Sequence, residues 1–125
     1  MAIQESGEMY LETILVLSQK METVRAIDIV KELGYSKPSV SRAMSILKEA
    51  NYIKVSDAGA ITLTAKGKKI AETIYERHTV IADMLMMIGV SEKVAVEDAC
   101  RVEHYISEET FDALRKHRAK IEKKK

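Results

Sequence analysis

The stretch GYSKPSVSRAMSIL, residues 34–47, decides the fold because it carries the end of one predicted helix and the start of the next. Gly34 stands where a helix C-cap is expected, since glycine readily adopts the left-handed backbone found there. Ser36 can accept a hydrogen bond from the free N–H groups of a new first turn, and Pro38 near that turn costs little helix stability. Two helices joined by so short a turn are typical of a helix-turn-helix.

Hydrophobic periodicity predicts the helices on either side of this turn. Apolar residues recur at helical spacing through residues 5–20, and the pattern continues from Val24 to Leu33. After the turn, one apolar stripe is formed by Val40, Ala43, Met44 and Leu47. The chain is therefore expected to begin with three helices.

A β-hairpin is predicted after the third helix, with strands at residues 51–55 and 61–64 around a turn. A hairpin in this place is typical of the wing of a winged helix-turn-helix. Thr64 then can cap a long helix that runs from residue 65 to about residue 88, where Gly89 stops it.

Two more helices are expected in the rest of the chain, one at residues 91–106 and one from Glu108 into a Lys/Arg-rich tail. The tail, residues 115–125, holds seven Lys/Arg and one Glu. We expect it to be a frayed, solvated terminus, with contact to a DNA backbone as the alternative.

The polar face of the third helix predicts a DNA contact. Its small hydroxyl residues and two cations have the lengths and donors needed to reach base edges and phosphates from the major groove. The predicted DNA-contacting residues are Ser36, Lys37, Pro38, Ser39, Ser41 and Arg42. A solvated face is the alternative, but the order of turn, capped helix and hairpin favours DNA binding.

Composition and charge are those of a helix-rich protein of 125 residues, 46% hydrophobic and 31% charged. No apolar run is long enough for a membrane span and no signal peptide is evident at the start, so we expect a cytoplasmic location. Residues 31–70 hold eight Lys/Arg against three Asp/Glu, whereas residues 91–112 hold two against seven. The charge pattern suggests one region for phosphates and another for cations.

The acidic region contains a candidate metal site. Cys100, Glu103 and His104 lie at i, i+3 and i+4, so their side chains would converge on one helical face. A thiolate, a carboxylate and an imidazole suit first-row transition metals. A buried cysteine beside a surface glutamate and histidine is the ordinary alternative.

Three further residues can contribute to a metal site. Met9 and Glu12, at i and i+3 on the first helix, offer a thioether and a carboxylate, with a core methionine and a solvated carboxylate as alternatives. His78 lies midway along the long helix, where an ordinary packed histidine is the default.

Short motifs in order along the chain resemble the diphtheria toxin repressor family of iron- and manganese-dependent regulators. The most specific is Glu97-Asp98-Ala99-Cys100-Arg101-Val102-Glu103-His104. The others are Glu8-Met9-Tyr10-Leu11, Ser39-Val40-Ser41, Leu63-Thr64-Ala65-Lys66-Gly67, Arg77-His78 and Ile88-Gly89. The resemblance covers nearly the whole chain.

This resemblance implies the ligands of a regulatory metal. Met9, Cys100, Glu103 and His104 match the iron-responsive branch, and His78 matches a histidine that binds a neighbouring second metal. Glu12 matches a glutamate of the manganese-responsive branch instead, so the chain looks like a hybrid. Fe²⁺ or Mn²⁺ is the implied cofactor, and Co²⁺, Ni²⁺ or Zn²⁺ would also bind in vitro.

The chain also departs from the iron branch. Ala82 and Val96 occupy positions where that branch has a Glu and a His for its ancillary metal, and we expect no SH3-like third domain.

From these residues we expect a mostly α protein that is a metal-dependent transcriptional repressor and not an enzyme. A winged helix-turn-helix DNA-binding domain would occupy residues 1–64, and a helical metal-binding and dimerisation domain residues 65–125. Apolar faces of the later helices predict a homodimer, which would bind a palindromic double-stranded DNA operator.

Two other functions stay open at this point. A thiol-based redox sensor would need an accessible, low-pKa Cys100, although Glu97, Asp98 and Glu103 oppose thiolate formation. A metal-dependent hydrolase would use Glu103 as a base, but the chain shows no second set of convergent acid and base residues.

Overall fold

In the computed structural model of the chain, residues 5–123 are described. The helices are α1 (Glu5–Lys20), α2 (Ala26–Leu33), α3 (Lys37–Glu49), α4 (Ala65–Met87), α5 (Glu92–Val102) and α6 (Glu108–Lys123). The strands β1 (Ile53–Val55) and β2 (Ile61–Leu63) form a two-stranded antiparallel sheet. The expected mostly α fold is confirmed. The chain divides within α4 into two compact units, one ending at Glu72 and the other beginning at Thr73.

The turn between α2 and α3 has the predicted geometry. Gly34 has a φ of 71°, and its N–H donates to the carbonyl of Val30 at 2.8 Å. The hydroxyl of Ser36 accepts from the N–H of Ser39 at 3.3 Å, and Pro38 lies in the first turn of α3. The local chemistry of Gly34, Ser36 and Pro38 therefore accounts for the turn between the two helices.

The start of α2 corrects the sequence prediction by two residues. Val24 is extended rather than helical, and its carbonyl accepts from the N–H of Ile61 at 2.8 Å, which adds an isolated bridge beside β2. Helix α2 begins at Ala26, and Asp28 accepts from the backbone N–H of Arg25 at 2.8 Å. The β-branched Val24 is buried, 2% exposed, and its carbonyl bonds to the sheet instead of to an N–H of α2.

The wing strands are shorter than predicted. Asn51 adopts a left-handed φ of 65° after α3, and the N–H of Tyr52 returns to the carbonyl of Leu47 at 3.0 Å. Asn51 and Tyr52 form the turn that follows α3, so β1 starts only at Ile53, opposite Leu63.

Helix α4 begins in close contact with the loop after α3. The hydroxyl of Thr64 accepts from the N–H of Gly67 at 3.1 Å and donates to the carbonyl of Asn51 at 2.7 Å. A Cβ added at Gly67 would lie well inside van der Waals distance of the carbonyl of Tyr52. Thr64 therefore caps α4 as predicted, and only glycine fits at residue 67.

A hydrophobic core fills the unit that ends at Glu72. Fourteen buried residues form one cluster there, among them Leu11, Ile29 and Val40 at 0% exposed and Ile53 at 2%. These four residues come from α1, α2, α3 and β1, and β2 and α4 contribute Ile61 and Ala71. The core thus holds α3 and leaves its outer face to solvent.

A smaller hydrophobic cluster lies in the unit that begins at Thr73. Ile81 and Ala82 of α4 form a buried cluster with Ala99 of α5, and Leu85, Ile106 and Leu114 pack against it. None of the helices in residues 5–123 is long and apolar enough to cross a membrane.

Helix α5 ends four residues before the predicted end. Ser91 caps its start, but the helix stops at Val102, whose carbonyl accepts from the N–H groups of both Tyr105 and Ile106 at 3.0 Å. Glu103 is the C-cap residue, so His104 lies in a turn after the helix and not on its face.

The basic tail is helical as far as Lys123, so the frayed terminus predicted for residues 115–123 is wrong. Arg115 pairs with Asp112 at 3.1 Å, and Arg118 pairs with Asp83 at 2.7 Å. These ion pairs stabilise the helical tail that its composition alone had suggested was frayed. Lys124 and Lys125 lie outside the described residues.

Candidate metal centre and DNA-binding helix

His78 on α4 is the centre of a cluster of metal-ligating groups. Its Nδ1 lies 2.9 Å from Oε2 of Glu103 and 3.7 Å from Sγ of Cys100. Cys100 is in the last turn of α5 and Glu103 caps that helix, so the i, i+3 spacing predicted from the sequence does bring both towards one point. That point is the imidazole of His78 on α4, a residue whose position alone favoured an ordinary packed histidine and which only the family resemblance related to a metal.

The burial of these groups is the reverse of the ordinary alternative. The side chains of Glu103 and His104 are each 1% exposed and that of His78 is 20% exposed. Cys100 is exposed. A carboxylate buried this deeply needs a cation or several donors to offset its lost hydration.

In the protein without metal, a proton on His78 provides the positive charge that offsets the lost hydration of the Glu103 carboxylate. The Cys100 sulfur and the Glu103 carboxylate hydrogen-bond to the ring and raise the pKa of His78 to about 10, against the opposing effect of burial. The imidazolium places a positive charge against Glu103. A divalent cation can take the place of this proton, because it brings positive charge to the same position.

The distances fit a transition-metal ion. Nitrogen, oxygen and sulfur ligands at about 2.0–2.3 Å from a common ion lie roughly 3.0–3.7 Å from one another. The separations of 2.9 Å and 3.7 Å at His78 Nδ1 are at the two ends of that range. One imidazole, one carboxylate and one thiolate form a mixed donor set that suits Fe²⁺ and its neighbours better than Ca²⁺ or Mg²⁺.

His104 lies beside this cluster. Its Nε2 is 3.4 Å from Oε1 of Glu103, so this carboxylate is flanked by an imidazole on each oxygen. Although α5 ends before His104, the turn keeps its ring next to Glu103.

Met9 and Glu12 lie on α1 in the other unit, and both are half-buried. The hydroxyl of Tyr35 donates to Sδ of Met9 at 3.3 Å. The Tyr35 ring also packs edge-on against Tyr10, with ring centroids 6.1 Å apart. Met9 is thus linked to the turn before α3 rather than enclosed in the core.

Sequence reasoning missed Tyr35 and Arg77 at these sites. Arg77 donates to the carbonyls of Glu103 and Ile106, the turn that carries two of the candidate ligands. The Arg77-His78 motif was a signal for Arg77, whereas nothing in the sequence indicated a role for Tyr35.

The predicted DNA-contacting residues are all exposed at the start of α3: Ser36, Lys37, Pro38, Ser39, Ser41 and Arg42. The Ser36 hydroxyl also donates to the Ser39 hydroxyl at 2.8 Å, so these two side chains partly satisfy each other. Ile46, 60% exposed farther along α3, was not predicted and offers an apolar contact.

Comparisons with known proteins agree with this architecture. A family model described as the N-terminal DNA-binding domain of iron-dependent repressors matches residues 2–61. Another, described as the metal-binding and dimerisation domain of iron-dependent repressors, matches residues 64–124.

Individual proteins are similar over most of the chain. The transcriptional regulator MntR of Escherichia coli is 36% identical over 115 residues, which are 89% of this chain and 74% of that protein. The structure of the manganese regulator SloR matches with a TM-score of 0.79 at 26% identity, over 94% of this chain and 54% of that one. A hypothetical protein, SSo2273 from Sulfolobus solfataricus, matches with a TM-score of 0.69 at 25% identity, over 94% of this chain and 91% of that one.

The family models and MntR are described as repressors or transcriptional regulators, and they support neither the redox-sensor nor the hydrolase alternative. The chain belongs to the iron-dependent repressor family of metal-dependent transcriptional repressors, which join a DNA-binding domain to a metal-binding and dimerisation domain.

Proposed function

We propose that this repressor binds its regulatory ion through His78, Cys100, Glu103 and His104. The observation that carries the proposal is the buried Glu103 carboxylate 2.9 Å from His78 Nδ1, with the Cys100 sulfur on the same nitrogen. The ion would supply the positive charge that holds these groups together. Met9 and Glu12 of α1 are proposed as further ligands, on the family resemblance of their motif.

Fe²⁺ or Mn²⁺ is the proposed physiological ion. The similar protein SloR is described as a manganese regulator, whereas Cys100 and Met9 of this chain are softer donors that favour Fe²⁺. Because affinity generally rises along the first-row series, Co²⁺, Ni²⁺ and Zn²⁺ are also expected to bind in vitro.

The proposed target is a palindromic operator bound by a homodimer in the cytoplasm. Exposed apolar residues in the unit after Thr73, including Ile88 at 76% and Tyr105 at 75%, provide surface for a second copy. Two α3 helices related by a two-fold axis would enter successive major grooves at a fixed spacing. We place the functional division between DNA binding and metal binding near Thr64, where α4 begins.

Coupling between ion and operator follows if ligands come from both parts of the chain. Met9 and Glu12 belong to the α1 side, whereas the other four ligands belong to α4, α5 and the following turn. An ion bound to both sets of ligands would favour one arrangement of the DNA-binding domains. The shift is limited by the difference in ion affinity between the arrangements.

The test starts from operators selected from a random duplex library in the presence of Mn²⁺ or anaerobic Fe²⁺. We expect tight binding by fluorescence anisotropy with either ion and at least tenfold weaker binding in chelator. Glu103→Gln should abolish the ion effect, whereas Glu109→Gln, a matched exposed position on α6, should retain it. Equal operator affinity in chelator and in both ions would contradict the proposal.

A second arm separates DNA contact from ion binding. Arg42→Ala should weaken operator binding while ion affinity stays unchanged, since its side chain lies on the exposed face of α3. Light scattering at micromolar concentration should report a dimer. A monomer with and without ion would contradict the homodimer.

A further inference from the structure

Arg77 lies one residue before His78 on α4 and is nearly buried, with 12% of its side chain exposed. Its Nη1 donates to the carbonyl of Glu103 at 3.2 Å and to that of Ile106 at 3.4 Å. Its Nη2 pairs with Glu108 at 2.8 Å, and its Cζ lies 5.5 Å from the ring centroid of Phe111. One guanidinium thus holds both ends of the turn between α5 and α6.

The Glu103 carbonyl that Arg77 binds lies at the C-cap of α5, where a helix end leaves carbonyls without partners in the helix. Helix α5 stops at Val102, so the carbonyls that follow cannot rely on N–H groups of a further helical turn. A cation at this end also interacts favourably with the helix dipole. Arg77 therefore replaces the hydrogen bonds that α5 would have made by continuing, and permits the early end of the helix.

The position of this turn determines where the ligands lie. Glu103 and His104 project from the backbone that Arg77 binds, while His78 projects from the adjacent residue of α4. The same turn of α4 therefore supplies one ligand and holds the backbone of two others. A guanidinium suits this task because its planar fork can donate in several fixed directions, which an ammonium cannot.

We infer that Arg77 is a positioning residue of the metal centre, which sets ion affinity by holding the Glu103–Ile106 turn against α4 without touching the ion. The inference rests on the proposed function, because it requires Glu103 to be a ligand. It assigns Arg77 a role in metal binding and not only in the stability of the helical unit.

The test compares substitutions of Arg77 using Co²⁺ as the probe ion. Arg77→Met keeps an apolar stem over Phe111 but removes every donor, and Arg77→Lys keeps the charge but not the fork. Glu108→Gln removes only the outer ion pair, whose carboxylate is 77% exposed, and Arg115→Met makes the same change at an exposed arginine of α6.

Two readouts are needed: Co²⁺ affinity with its absorption spectrum, and thermal unfolding without metal. We expect Arg77→Met to weaken Co²⁺ binding roughly 10- to 100-fold, the range seen when outer partners of ligands are removed, and to change the spectrum. Arg77→Lys should be intermediate. Glu108→Gln and Arg115→Met should stay within about twofold of wild type, as expected for exposed ion pairs.

Wild-type Co²⁺ affinity and spectrum in Arg77→Met, with only a lowered unfolding temperature, would overturn the inference. If Arg77→Met does not fold, Arg77→Lys decides in the same way: an unchanged affinity and spectrum overturn it. The proposed function fails separately, if Glu103→Gln binds Co²⁺ as tightly as wild type. Loss in Glu103→Gln with no change in the Arg77 variants would refute only the role of Arg77.

Discussion

The unit that ends at Glu72 has fourteen buried hydrophobic residues in one cluster, whereas the described part of the unit that begins at Thr73 has seven buried hydrophobic residues, of which three form a cluster. Two of those three are alanines, which bury little area. The second unit instead buries the charged side chain of Glu103 and the imidazole of His104 at 1% exposed. Apolar burial stabilises the first unit by about 25 cal/mol per Å² whether or not an ion is present.

This difference indicates that the unit beginning at Thr73, and not the unit ending at Glu72, is the one whose stability depends on a cation. The helix-turn-helix and the wing are specified by caps, turns and a hydrophobic core that need no ion. The second unit places a carboxylate out of water and depends on a cation to offset that cost. We therefore expect the proposed ion to act on a DNA-binding unit that is already folded, and not to be needed for its folding.

The largest expected effect is a loss of stability in the unit that ends at Glu72. Gly67→Ala forces a Cβ into the Tyr52 carbonyl, so the free energy of unfolding should fall by more than about 4 kcal/mol. Denaturant unfolding followed by circular dichroism measures it, and saturating Mn²⁺ should not restore operator binding. Lys68→Ala, the exposed neighbour on α4, is the control and should be near wild type. Near-wild-type stability of Gly67→Ala would show that α4 does not approach Tyr52 as described.

The next effect is selective protection of the second unit by metal. An ion at 100 times its Kd stabilises the form that binds it by about 2.7 kcal/mol. Peptide-resolved hydrogen exchange should slow most in α5 and the turn after it, and much less in the wing strands. Equal slowing in the wing and in α5 would contradict the division between the units.

Metal affinity should rise with pH. Because the pKa of His78 is raised to about 10 by the Cys100 and Glu103 hydrogen bonds, the ring carries a proton at neutral pH that the ion must displace. Displacement of one proton raises Mn²⁺ affinity about tenfold per pH unit, or about 1.4 kcal/mol, below that pKa. Calorimetry in buffers of different ionisation enthalpy counts the protons released, and His78→Gln should release one fewer.

Stability without metal should change in the opposite direction. The folded-state pKa of His78 lies above its ordinary value of 6.5, so the proton stabilises the fold fully below about pH 6.5. That contribution is lost as pH rises through the folded-state pKa of about 10. Metal-free protein should thus lose stability over the range in which it gains ion affinity. A rise in metal-free stability over that range, attributable to His78 by comparison with His78→Gln, would contradict this sign.

A smaller effect is expected on ion preference. Cys100→Asp replaces a soft sulfur by a hard oxygen at about the same reach, so preference should shift towards Mn²⁺ relative to Fe²⁺ or Co²⁺. Cys100→Ser should weaken all three ions, because a neutral hydroxyl is a poor ligand. Competition titrations measure the ranking. An unchanged ranking and affinity in both variants would remove Cys100 from the centre.

The smallest effect concerns the link between Met9 and the turn before α3. Tyr35→Phe removes the hydroxyl that donates to Met9 Sδ at 3.3 Å and keeps the ring against Tyr10. Ion affinity should fall by about two- to fivefold, the loss expected for one weak hydrogen bond of roughly 0.5–1 kcal/mol. Tyr75→Phe, a half-exposed tyrosine of α4, is the matched control. An unchanged affinity would mean that the Tyr35 hydroxyl does not orient the thioether.

The sequence could predict the parts of the fold that local chemistry determines. Gly34, Ser36 and Thr64 end or start helices through their own backbone or side-chain preferences, and each does so in the structure. Val24 and the end of α5 could not be predicted, because tertiary partners override helical periodicity there. Val24 bonds to Ile61 of β2, and Arg77 of α4 binds the carbonyls after Val102.

The candidate centre was predictable to a similar extent. The i, i+3 spacing of Cys100 and Glu103 indicated a shared direction, but not that His78 lies where they converge. The alternative to a metal site was a buried Cys100 beside a surface Glu103. The structure shows the reverse, because Cys100 is exposed and Glu103 is buried. A sequence cannot show which side chain a neighbouring helix will cover.

One titration tests most directly whether the ion bound at His78, Cys100 and Glu103 controls DNA binding. Co²⁺ is added to the wild-type protein with a labelled selected operator, while thiolate-to-Co²⁺ absorption and anisotropy are recorded in the same sample. We predict that both signals rise together and that chelator reverses both. Full anisotropy before any Co²⁺ is added, or a rise in anisotropy without thiolate absorption, would contradict the account.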